Sequence, residues 1–180
     1  MIDPILSTTD LHGASLPKAA VLGMGNAEDA MRGLVDSRWD VVFFCAKELP
    51  PPPQVFKDGT RRVRVFHVPL DDGQLSKDEA IRASQAANIA ARYFLSGKRV
   101  LVTCLAGKNR SGLVAALAVD AITGEGGKTA AGLVRAKRTS LGELAPALSN
   151  PAFLLFLSQI EPRNIAAKLS KSSLVSGARG

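Results

Sequence analysis

The sequence predicts an α/β fold: a single domain with a central, mostly parallel sheet and helices on both faces. Short apolar runs with the length of strands alternate with longer segments that have the spacing of helices. No internal repeat divides the 180 residues, which suffice for one well-buried core. Hydrophobic residues make up 46% of the chain, as in ordinary globular proteins, yet no apolar run reaches the roughly 18 residues needed to cross a bilayer.

Four segments have the properties of strands. Residues 39–46, WDVVFFCA, form a continuous apolar run, which is typical of a strand buried on both faces. Residues 61–70 begin with valines that alternate with arginines, which is the period of a strand. Between them, residues 48–54 contain four consecutive prolines and therefore form a loop. The predicted strands cover residues 18–25, 39–46, 61–70 and 99–104.

Five segments have the properties of helices, and two of them have recognisable ends. Ser76 and Glu79 have the spacing of a capping box, and Gly97 follows the long alanine-rich segment that they begin. Asn150 is a favourable N-cap in front of Pro151, a favourable first helical residue. The predicted helices cover residues 27–38, 76–97, 110–123, 129–140 and 151–160.

Much of the net charge of +7 lies at the C-terminus. Residues 163–180 carry four basic residues and no acid, and their serine and glycine content predicts a flexible tail after a domain of residues 1–162. No aromatic residue separates these charges, so nucleic-acid binding is disfavoured without being excluded. The N-terminus lacks a signal segment and the two cysteines form no disulfide framework. We therefore expect a cytoplasmic location, no transmembrane segment and a monomer.

The segment from Val100 to Gly112, VLVTCLAGKNRSG, joins a predicted buried strand to a predicted helix. Cys104 ends the strand, and open α/β sheets bind their ligands beyond the carboxyl ends of strands. Gly107 permits a turn lined by backbone N–H groups, and the helix N-terminus attracts an anion. Arg110 can bind two oxygens of that anion together. The loop therefore predicts a site for a tetrahedral oxyanion, formed by residues Leu105, Ala106, Gly107, Lys108, Asn109, Arg110 and Ser111.

The same surroundings favour the thiolate of Cys104, which is the nucleophilic form of cysteine. With a phosphate ester in the loop, this thiolate would attack phosphorus and give a cysteinyl phosphate, while Arg110 holds the developing charge. Ser111 can donate a hydrogen bond to the thiolate when it leaves. The leaving oxygen needs a proton, and Asp71 and Asp72 both follow the end of a predicted strand. Spacing alone does not choose between these two carboxylates.

Cys45 has a different expected role. It lies inside the apolar run of residues 39–46, where a small buried hydrophobic side chain is the simplest interpretation. Whether it pairs with Cys104 on oxidation stays open.

The loop CLAGKNRSG resembles the signature C-x-x-G-x-x-R-[ST] of the cysteine-based protein tyrosine phosphatases, and is most similar to their small dual-specificity branch. The likeness extends over about residues 20–162. The segment VPLDDG resembles the general-acid loop of that family, and its alignment assigns the acid to Asp72 rather than Asp71. The resemblance implies a phosphatase of phosphotyrosine and phosphoserine or phosphothreonine that acts through a cysteinyl phosphate, with no metal and no organic cofactor.

Two residues of the loop leave alternatives open. Thr103 stands where the family normally has a histidine that organises hydrogen bonds beneath the loop, so one alternative is a phosphate-binding module with weak turnover. Lys108 is similar to the basic residues of relatives that act on inositol lipids, and with the charge of +7 it motivates a phosphoinositide or RNA 5′-phosphatase. The expected partner is a phosphorylated protein or another phosphomonoester.

Overall fold

The computed structural model describes residues 3–7, 20–35, 38–51, 53–58, 61–139 and 146–163. The strands are β1 Asp3–Ser7, β2 Val21–Asn26, β3 Val41–Ala46, β4 Val55–Asp58, β5 Arg61–Leu70 and β6 Arg99–Cys104. The helices are α1 Ala27–Val35, α2 Lys77–Leu95, α3 Asn109–Thr123, α4 Gly127–Thr139 and α5 Pro151–Ser158. The strands form one sheet in the order β1-β2-β6-β3-β5-β4.

The four inner strands, β2, β6, β3 and β5, are mutually parallel, and they correspond to the four predicted strands. The mostly parallel sheet is therefore confirmed. The two edge strands, β1 and β4, are antiparallel to their neighbours and were not predicted. They contain only five and four residues, which is too short for an alternating pattern to identify a strand.

Helices cover both faces of the sheet, as predicted. On one face, Val100, Val102 and Cys104 of β6 pack into a core that they share with α2, α3, α4 and α5. On the other face, Leu101 packs into a smaller core with Trp39 and with α1. Every residue of β3 is buried, which agrees with the continuous apolar run in its sequence. The sheet is thus the central layer, and the carboxyl ends of its four parallel strands lie along one edge.

The predicted helix ends are present. The Ser76 hydroxyl accepts a hydrogen bond from the Glu79 N–H, and the Glu79 carboxylate accepts one from the Ser76 N–H, which completes the capping box of α2. Gly97 has a φ of 84° immediately after this helix. The Asn150 Oδ1 accepts from the N–H groups of Ala152 and Phe153 at the start of α5. These caps fix the two helices that flank the candidate site.

Of the predicted basic tail, only Arg163 is described, and residues 164–180 lie outside the described residues. The Arg163 N–H donates to the carbonyl of Gly124 over 2.6 Å, and its guanidinium pairs with Asp120 of α3. No helix in the described part of the chain is long and apolar enough to cross a membrane.

Candidate active site

The loop after β6 lies at the edge where the parallel strands have their carboxyl ends. Cys104 is the last residue of β6 and pairs in register with Asn26, the last residue of β2. Helix α3 begins at Asn109, so residues 105–108 connect the strand to the helix N-terminus. We call residues 105–111 the phosphate loop. Its position agrees with the general placement of ligand sites in open α/β sheets.

Gly107 is required in this loop for two reasons. Its φ of 69° lies in the left-handed region that side chains disfavour. A Cβ at this position would also lie only 2.6 Å from the carbonyl carbon of Gly25. That carbon belongs to the backbone of β2, so it cannot move aside as a flexible side chain could. The carbonyl oxygen of Gly107 accepts a hydrogen bond from the buried Arg138 of α4 over 3.2 Å. The turn is therefore fixed by backbone packing on one side and by a guanidinium on the other.

Cys104 and Ser111 are brought into direct contact across the loop. The Cys104 Sγ lies 3.2 Å from the Ser111 Oγ, and both residues are buried. A hydroxyl at this distance can donate to a sulfur that carries negative charge. This is the arrangement that the sequence predicted for a thiolate that attacks and later leaves.

Arg110, in the first turn of α3, is also buried. Its Nη1 is bonded to the carboxylate of Glu48 and lies 3.4 Å from the carbonyl oxygen of Leu70. Its Nε lies 3.9 Å from the Asp72 Oδ2 and has no hydrogen-bond partner among the described residues. Burial lowers the pKa of Arg110, but the bond to Glu48 and the charge of Cys104 outweigh burial and raise the pKa above its ordinary value. The guanidinium is thus held in place on one side by Glu48 and Leu70, and on the other side its Nε faces Asp72 without a hydrogen bond.

The contact with Arg110 also changes the pKa of Glu48, the second residue after β3. A hydrogen bond from its own backbone N–H, followed by the bond to Arg110, lowers the pKa of the Glu48 carboxyl. Glu48 is therefore a carboxylate at neutral pH and remains a partner of Arg110 down to acidic pH.

The two candidate acids have different surroundings. Asp71 forms an ion pair with Lys47, and the hydrogen bond from Lys47 lowers the pKa of the Asp71 carboxyl. Asp72 has a side chain that is 39% exposed and faces the Arg110 Nε in a longer ion pair of 3.9 Å that is not a hydrogen bond. A close hydrogen bond to a cation keeps a carboxyl ionised and hinders it as a proton donor, and Asp71 has such a bond to Lys47 whereas Asp72 does not. The surroundings therefore favour Asp72 as the acid, which agrees with the alignment.

Two distant side chains hold the acid loop, residues 71–75, by its backbone. The Asp71 N–H donates to the Glu79 carboxylate of α2 over 2.7 Å. The Asn150 Nδ2 donates to the carbonyl oxygens of Asp72 and Gly73 over 3.0 and 2.9 Å. Burial would raise the pKa of Glu79, but hydrogen bonds from the Ser76 side chain and from the Asp71 and Ser76 N–H groups lower it overall. Glu79 is therefore an ionised acceptor for this loop.

Asn109 connects the phosphate loop to the same region. Its Oδ1 accepts hydrogen bonds from the N–H groups of Ser149 and Asn150 over 2.8 and 3.2 Å. Asn150 also donates to the backbone of Asp72 and Gly73, so Asn150 links the start of α5 to both loops. A displacement of α5 would therefore displace both the phosphate loop and the acid loop.

The remaining predicted site residues occupy the rim of the loop. Leu105 and Ala106 are exposed, and Lys108 is half-buried as the residue before α3. Thr103 is fully buried, and its Oγ1 donates to the carbonyl oxygen of Phe43 in β3 over 3.1 Å. The threonine therefore satisfies its hydroxyl within the sheet and does not take the place of a histidine beneath the loop.

Cys45 lies in β3, next to β6, and it is a free, buried cysteine as predicted. Burial, followed by the charge of nearby Cys104, raises the pKa of the Cys45 thiol well above its ordinary value. Cys45 is consequently a neutral thiol at physiological pH, and no described contact gives it a role in the site.

Comparisons with known proteins agree with this geometry at the level of the fold. The sequence matches no family model, and no curated protein matches it. Among solved structures, human DUSP28 superposes with a TM-score of 0.60 at 20% identity, covering 77% of this chain and 86% of that protein. DUSP15 gives 0.60 at 20% identity over 88% and 92%, and Tk-PTP in its active form gives 0.56 at 24% identity over 77% and 90%. The chain has the fold of the cysteine-based protein phosphatases, close to the small dual-specificity enzymes.

Sequence reasoning missed three residues that build the site on this dual-specificity phosphatase fold. Glu48 holds Arg110, while Glu79 and Asn150, which were predicted only as helix caps, also hold the acid loop. A signal for Glu48 was present, because a charged residue that follows the end of a buried parallel strand lies at the ligand-binding edge. No such signal existed for Glu79 and Asn150, since their second contacts depend on how distant segments pack.

Proposed function

We propose that the protein is a cysteine-dependent phosphomonoesterase, of the dual-specificity protein phosphatase type. The observation that carries this proposal is the grouping of Cys104, Ser111 and the free Nε of Arg110 at the N-terminus of α3. A buried guanidinium donor with no partner in the described protein is costly unless a ligand satisfies it. A phosphoryl oxygen is a suitable acceptor, because it is anionic and the helix N-terminus attracts anions.

In the first step, the Cys104 thiolate attacks phosphorus opposite the leaving oxygen. The S–P bond forms while the P–O bond to the leaving group breaks, and Asp72 transfers its proton to that oxygen. The backbone of residues Leu105 to Ser111 and the Arg110 guanidinium stabilise the equatorial oxygens of the phosphoryl group. The product alcohol or phenol then departs, leaving a cysteinyl phosphate and an ionised Asp72.

In the second step, water attacks the same phosphorus. Asp72 accepts a proton from the water, the P–S bond breaks, and Cys104 leaves as a thiolate that the Ser111 hydroxyl stabilises. Inorganic phosphate is released, and Asp72 is again protonated. Apart from the substrate and water, both steps use groups that this chain supplies.

Protein substrates suit the phosphate loop better than polyphosphorylated ones. Besides Arg110, the loop has a single cation, Lys108, and that residue is half-buried. Recognition of several phosphates at once would be expected to need more positive charge around the loop. Leu105 and Ala106, which are exposed at the rim, instead provide an apolar surface for a peptide.

The proposal is tested with para-nitrophenyl phosphate in the presence of EDTA. We expect hydrolysis by the wild type and a loss of at least about a thousandfold in kcat for Cys104→Ser, which should still bind inorganic phosphate. Cys45→Ala serves as the matched control and should keep kcat within about threefold, because Cys45 is a neutral buried thiol that takes part in no described hydrogen bond of the site. Turnover that survives in Cys104→Ser, or that requires a metal, would contradict the proposal.

The substrate class is tested separately. The same enzyme is assayed on phosphotyrosine and phosphoserine peptides, on phosphoinositides and on RNA with a 5′-triphosphate. The proposal expects the peptides to have the highest kcat/KM. A phosphoinositide or RNA that exceeds both peptides would replace the protein-phosphatase assignment, and phosphate binding with no turnover would indicate a binding module.

A further inference from the structure

Strand β5 presents a row of cations away from the phosphate loop. Val63 and Val65 are buried in the core shared with α1, whereas Arg62 and Arg64, which alternate with them, are exposed. Side chains two residues apart on a strand lie on the same face, about 6.6 Å apart. The two guanidiniums therefore point to the same side of the sheet at the spacing of an extended chain.

No group of the described protein neutralises these cations. Lys57 of β4 is exposed and directly opposite Arg62 in the register of the hairpin. Like charges directly opposite each other on neighbouring strands are destabilising. Among the described residues, neither Arg62 nor Arg64 takes part in an ion pair. The hairpin thus retains an unfavourable charge arrangement that an anionic ligand would relieve.

A groove lies beside these residues, which we call the β5 groove. It has a volume of about 600 Å³, and its lining includes Arg62, Arg64, Phe66, His67, Gln54 and Val55. A second, smaller depression of about 160 Å³ shares Phe66 and His67 and adds Arg82 of α2. Residues 61–70 and 80–95, which form the strand and most of the neighbouring helix, contain no aspartate or glutamate. The charged residues Arg62, Arg64 and Arg82 that line the groove and the depression are therefore all basic.

The groove leads towards the candidate active site. Strand β5 ends at Leu70, whose carbonyl oxygen lies 3.4 Å from the Arg110 Nη1, and the acid loop follows directly. At about 3.3 Å per residue, Arg64 lies roughly 20 Å from that end of the strand and Arg62 roughly 26 Å. A polypeptide with its phosphorylated residue in the phosphate loop can reach both arginines with about six to eight further residues.

We propose that the β5 groove binds an acidic segment of a phosphoprotein substrate, about six to eight residues from the phosphorylated side chain. This inference rests on the proposed function, because it assigns the groove to the substrate of the same active site. Alternate carboxylates of an extended segment have the spacing of Arg62 and Arg64, so both ion pairs can form without a change in the backbone of either partner.

Two other anionic partners fit the groove less well. Single-stranded nucleic acid needs free aromatic rings for its bases, but the Phe66 ring is stacked on Phe43 at 4.8 Å and also contacts Tyr93. An anionic membrane attracts larger clusters of roughly four to eight basic residues on a surface that faces it. The described residues here include four cations, Lys57, Arg62, Arg64 and Arg82, which is the lower limit of that range, and Arg62 and Arg64 lie in line along one groove.

The test compares two phosphopeptides that share the same phosphorylated residue and differ in the flanking segment. One carries glutamate at alternate positions about six to eight residues away, and the other carries glutamine there. Each peptide is made with the segment on the N-terminal and on the C-terminal side. The proteins are the wild type, Arg62→Glu/Arg64→Glu and a control, Lys128→Glu/Arg135→Glu. The control has the same change of charge on exposed residues of α4, which packs against β1 at the opposite edge of the sheet.

The wild type should prefer one acidic peptide by roughly tenfold in kcat/KM at about 50 mM salt, and the preference should shrink at about 500 mM. Arg62→Glu/Arg64→Glu should lose the preference, while the control double variant keeps it. All three proteins should hydrolyse para-nitrophenyl phosphate equally, which shows that the variants are folded. A wild type without the preference, or an Arg62→Glu/Arg64→Glu variant that retains it, would overturn the inference.

A binding measurement separates this inference from the proposed function. Fluorescence anisotropy with Cys104→Ser reports the affinity for the same peptides whether or not the wild type turns over. Tighter binding of the acidic peptide that depends on Arg62 and Arg64 supports the groove even if catalysis is absent. If vesicles with anionic lipid or a single-stranded RNA bind through these arginines and the acidic peptide shows no advantage, the occupant that we propose is wrong.

Discussion

The phosphate loop and the acid loop meet at one site but are held in different ways. In the phosphate loop, Gly107, Arg110 and Ser111 are buried, and the turn is packed against the backbone of β2. In the acid loop, Asp72 and Gly73 are exposed. The loop backbone donates a hydrogen bond to the Glu79 side chain on α2 and accepts others from the Asn150 side chain at the start of α5. The first loop is part of the core of the domain, and the second is attached to it by a few polar contacts.

The two loops are therefore suited to different parts of the proposed reaction, phosphoryl binding and proton transfer. Binding a phosphoryl group needs donors whose positions do not change, and burial supplies that rigidity. Transferring a proton to and from substrates of different shape tolerates a less rigid support. We therefore expect changes in the phosphate loop to abolish the reaction, and changes in the supports of the acid loop to lower its rate by degrees.

The largest effect is expected for Gly107→Ala. The new Cβ would lie 2.6 Å from the Gly25 backbone at a φ of 69°, so the loop must shift away from its position. We expect kcat/KM for para-nitrophenyl phosphate to fall at least about a hundredfold, with weaker binding of inorganic phosphate.

Gly132→Ala is the matched control, since a Cβ there meets nothing within 4 Å on the exposed side of α4. It should keep full activity and gain about 0.5–1 kcal/mol of stability from helix propensity. A Gly107→Ala variant that retains wild-type phosphate affinity would show that the loop is not rigid.

The next effect concerns the acid itself. Asp72→Asn should lower kcat by about a hundredfold on phenyl phosphate, whose leaving group needs a proton, and by much less on para-nitrophenyl phosphate. Asp71→Asn should stay within about threefold on both, because Asp71 is paired with Lys47. The dependence on the leaving group is the deciding measurement. If Asp71→Asn shows that dependence and Asp72→Asn does not, the assignment of the acid is reversed.

A smaller effect is expected for the support of the acid loop. Asn150→Ser keeps an oxygen that can cap α5 but removes the amide that donates to Asp72 and Gly73. We expect kcat to fall by about tenfold with little change in phosphate affinity or in melting temperature. Ser158→Ala, a control at the other end of α5 whose hydroxyl donates to the carbonyl oxygen of Leu155, should behave as wild type. If Asn150→Ser leaves kcat unchanged, Asn150 acts only as a helix cap.

The two loops also differ in how far their sequence predicts them. Cys104, Gly107, Arg110 and Ser111 lie within eight residues of one another between a strand and a helix, so local chemistry was enough to predict an anion site there. Asp71 and Asp72 could not be separated by spacing. Resemblance was needed to choose Asp72, and the ion pair of Asp71 with Lys47 gives a physical reason.

Prediction of the fold from the sequence has the same limit, because a local pattern identifies some elements and not others. The four inner strands carry apolar or alternating patterns and were predicted, whereas β1 and β4 are short edge strands whose pairing depends on their neighbours. Glu48 and Asn150 lie more than 20 residues along the chain from the loops that they hold. Glu79 is nearer to Asp71 in sequence, but its presence was already explained as a helix cap. Contacts of that kind follow from packing, which a local pattern does not contain.

The smallest effect on activity is expected at Glu79, whose role is measured as stability. Glu79→Ala removes the capping box and the acceptor of the Asp71 N–H, so it should cost about 1–2 kcal/mol at pH 7. Because folding lowers the pKa of Glu79, its charge stabilises the protein at neutral pH, and this contribution is lost as the pH falls through the lowered value.

Urea unfolding at pH 7 and at about pH 3 checks the sign. The difference between the wild type and Glu79→Ala should shrink at the acidic pH, and Glu79→Gln should lie between the two proteins at pH 7. A difference that grows on acidification would mean that the carboxylate is not stabilised by these hydrogen bonds.

The central claim is that the Cys104 sulfur forms a covalent bond to phosphorus. It is tested most directly by mixing the wild type with para-nitrophenyl phosphate, quenching rapidly in denaturant at alkaline pH and mapping the peptides by mass spectrometry. The account predicts one added phosphoryl group on the peptide that contains Cys104 and none in Cys104→Ser. A turnover that releases phosphate while no phosphoryl group is found on Cys104, or one found on another residue, would contradict it.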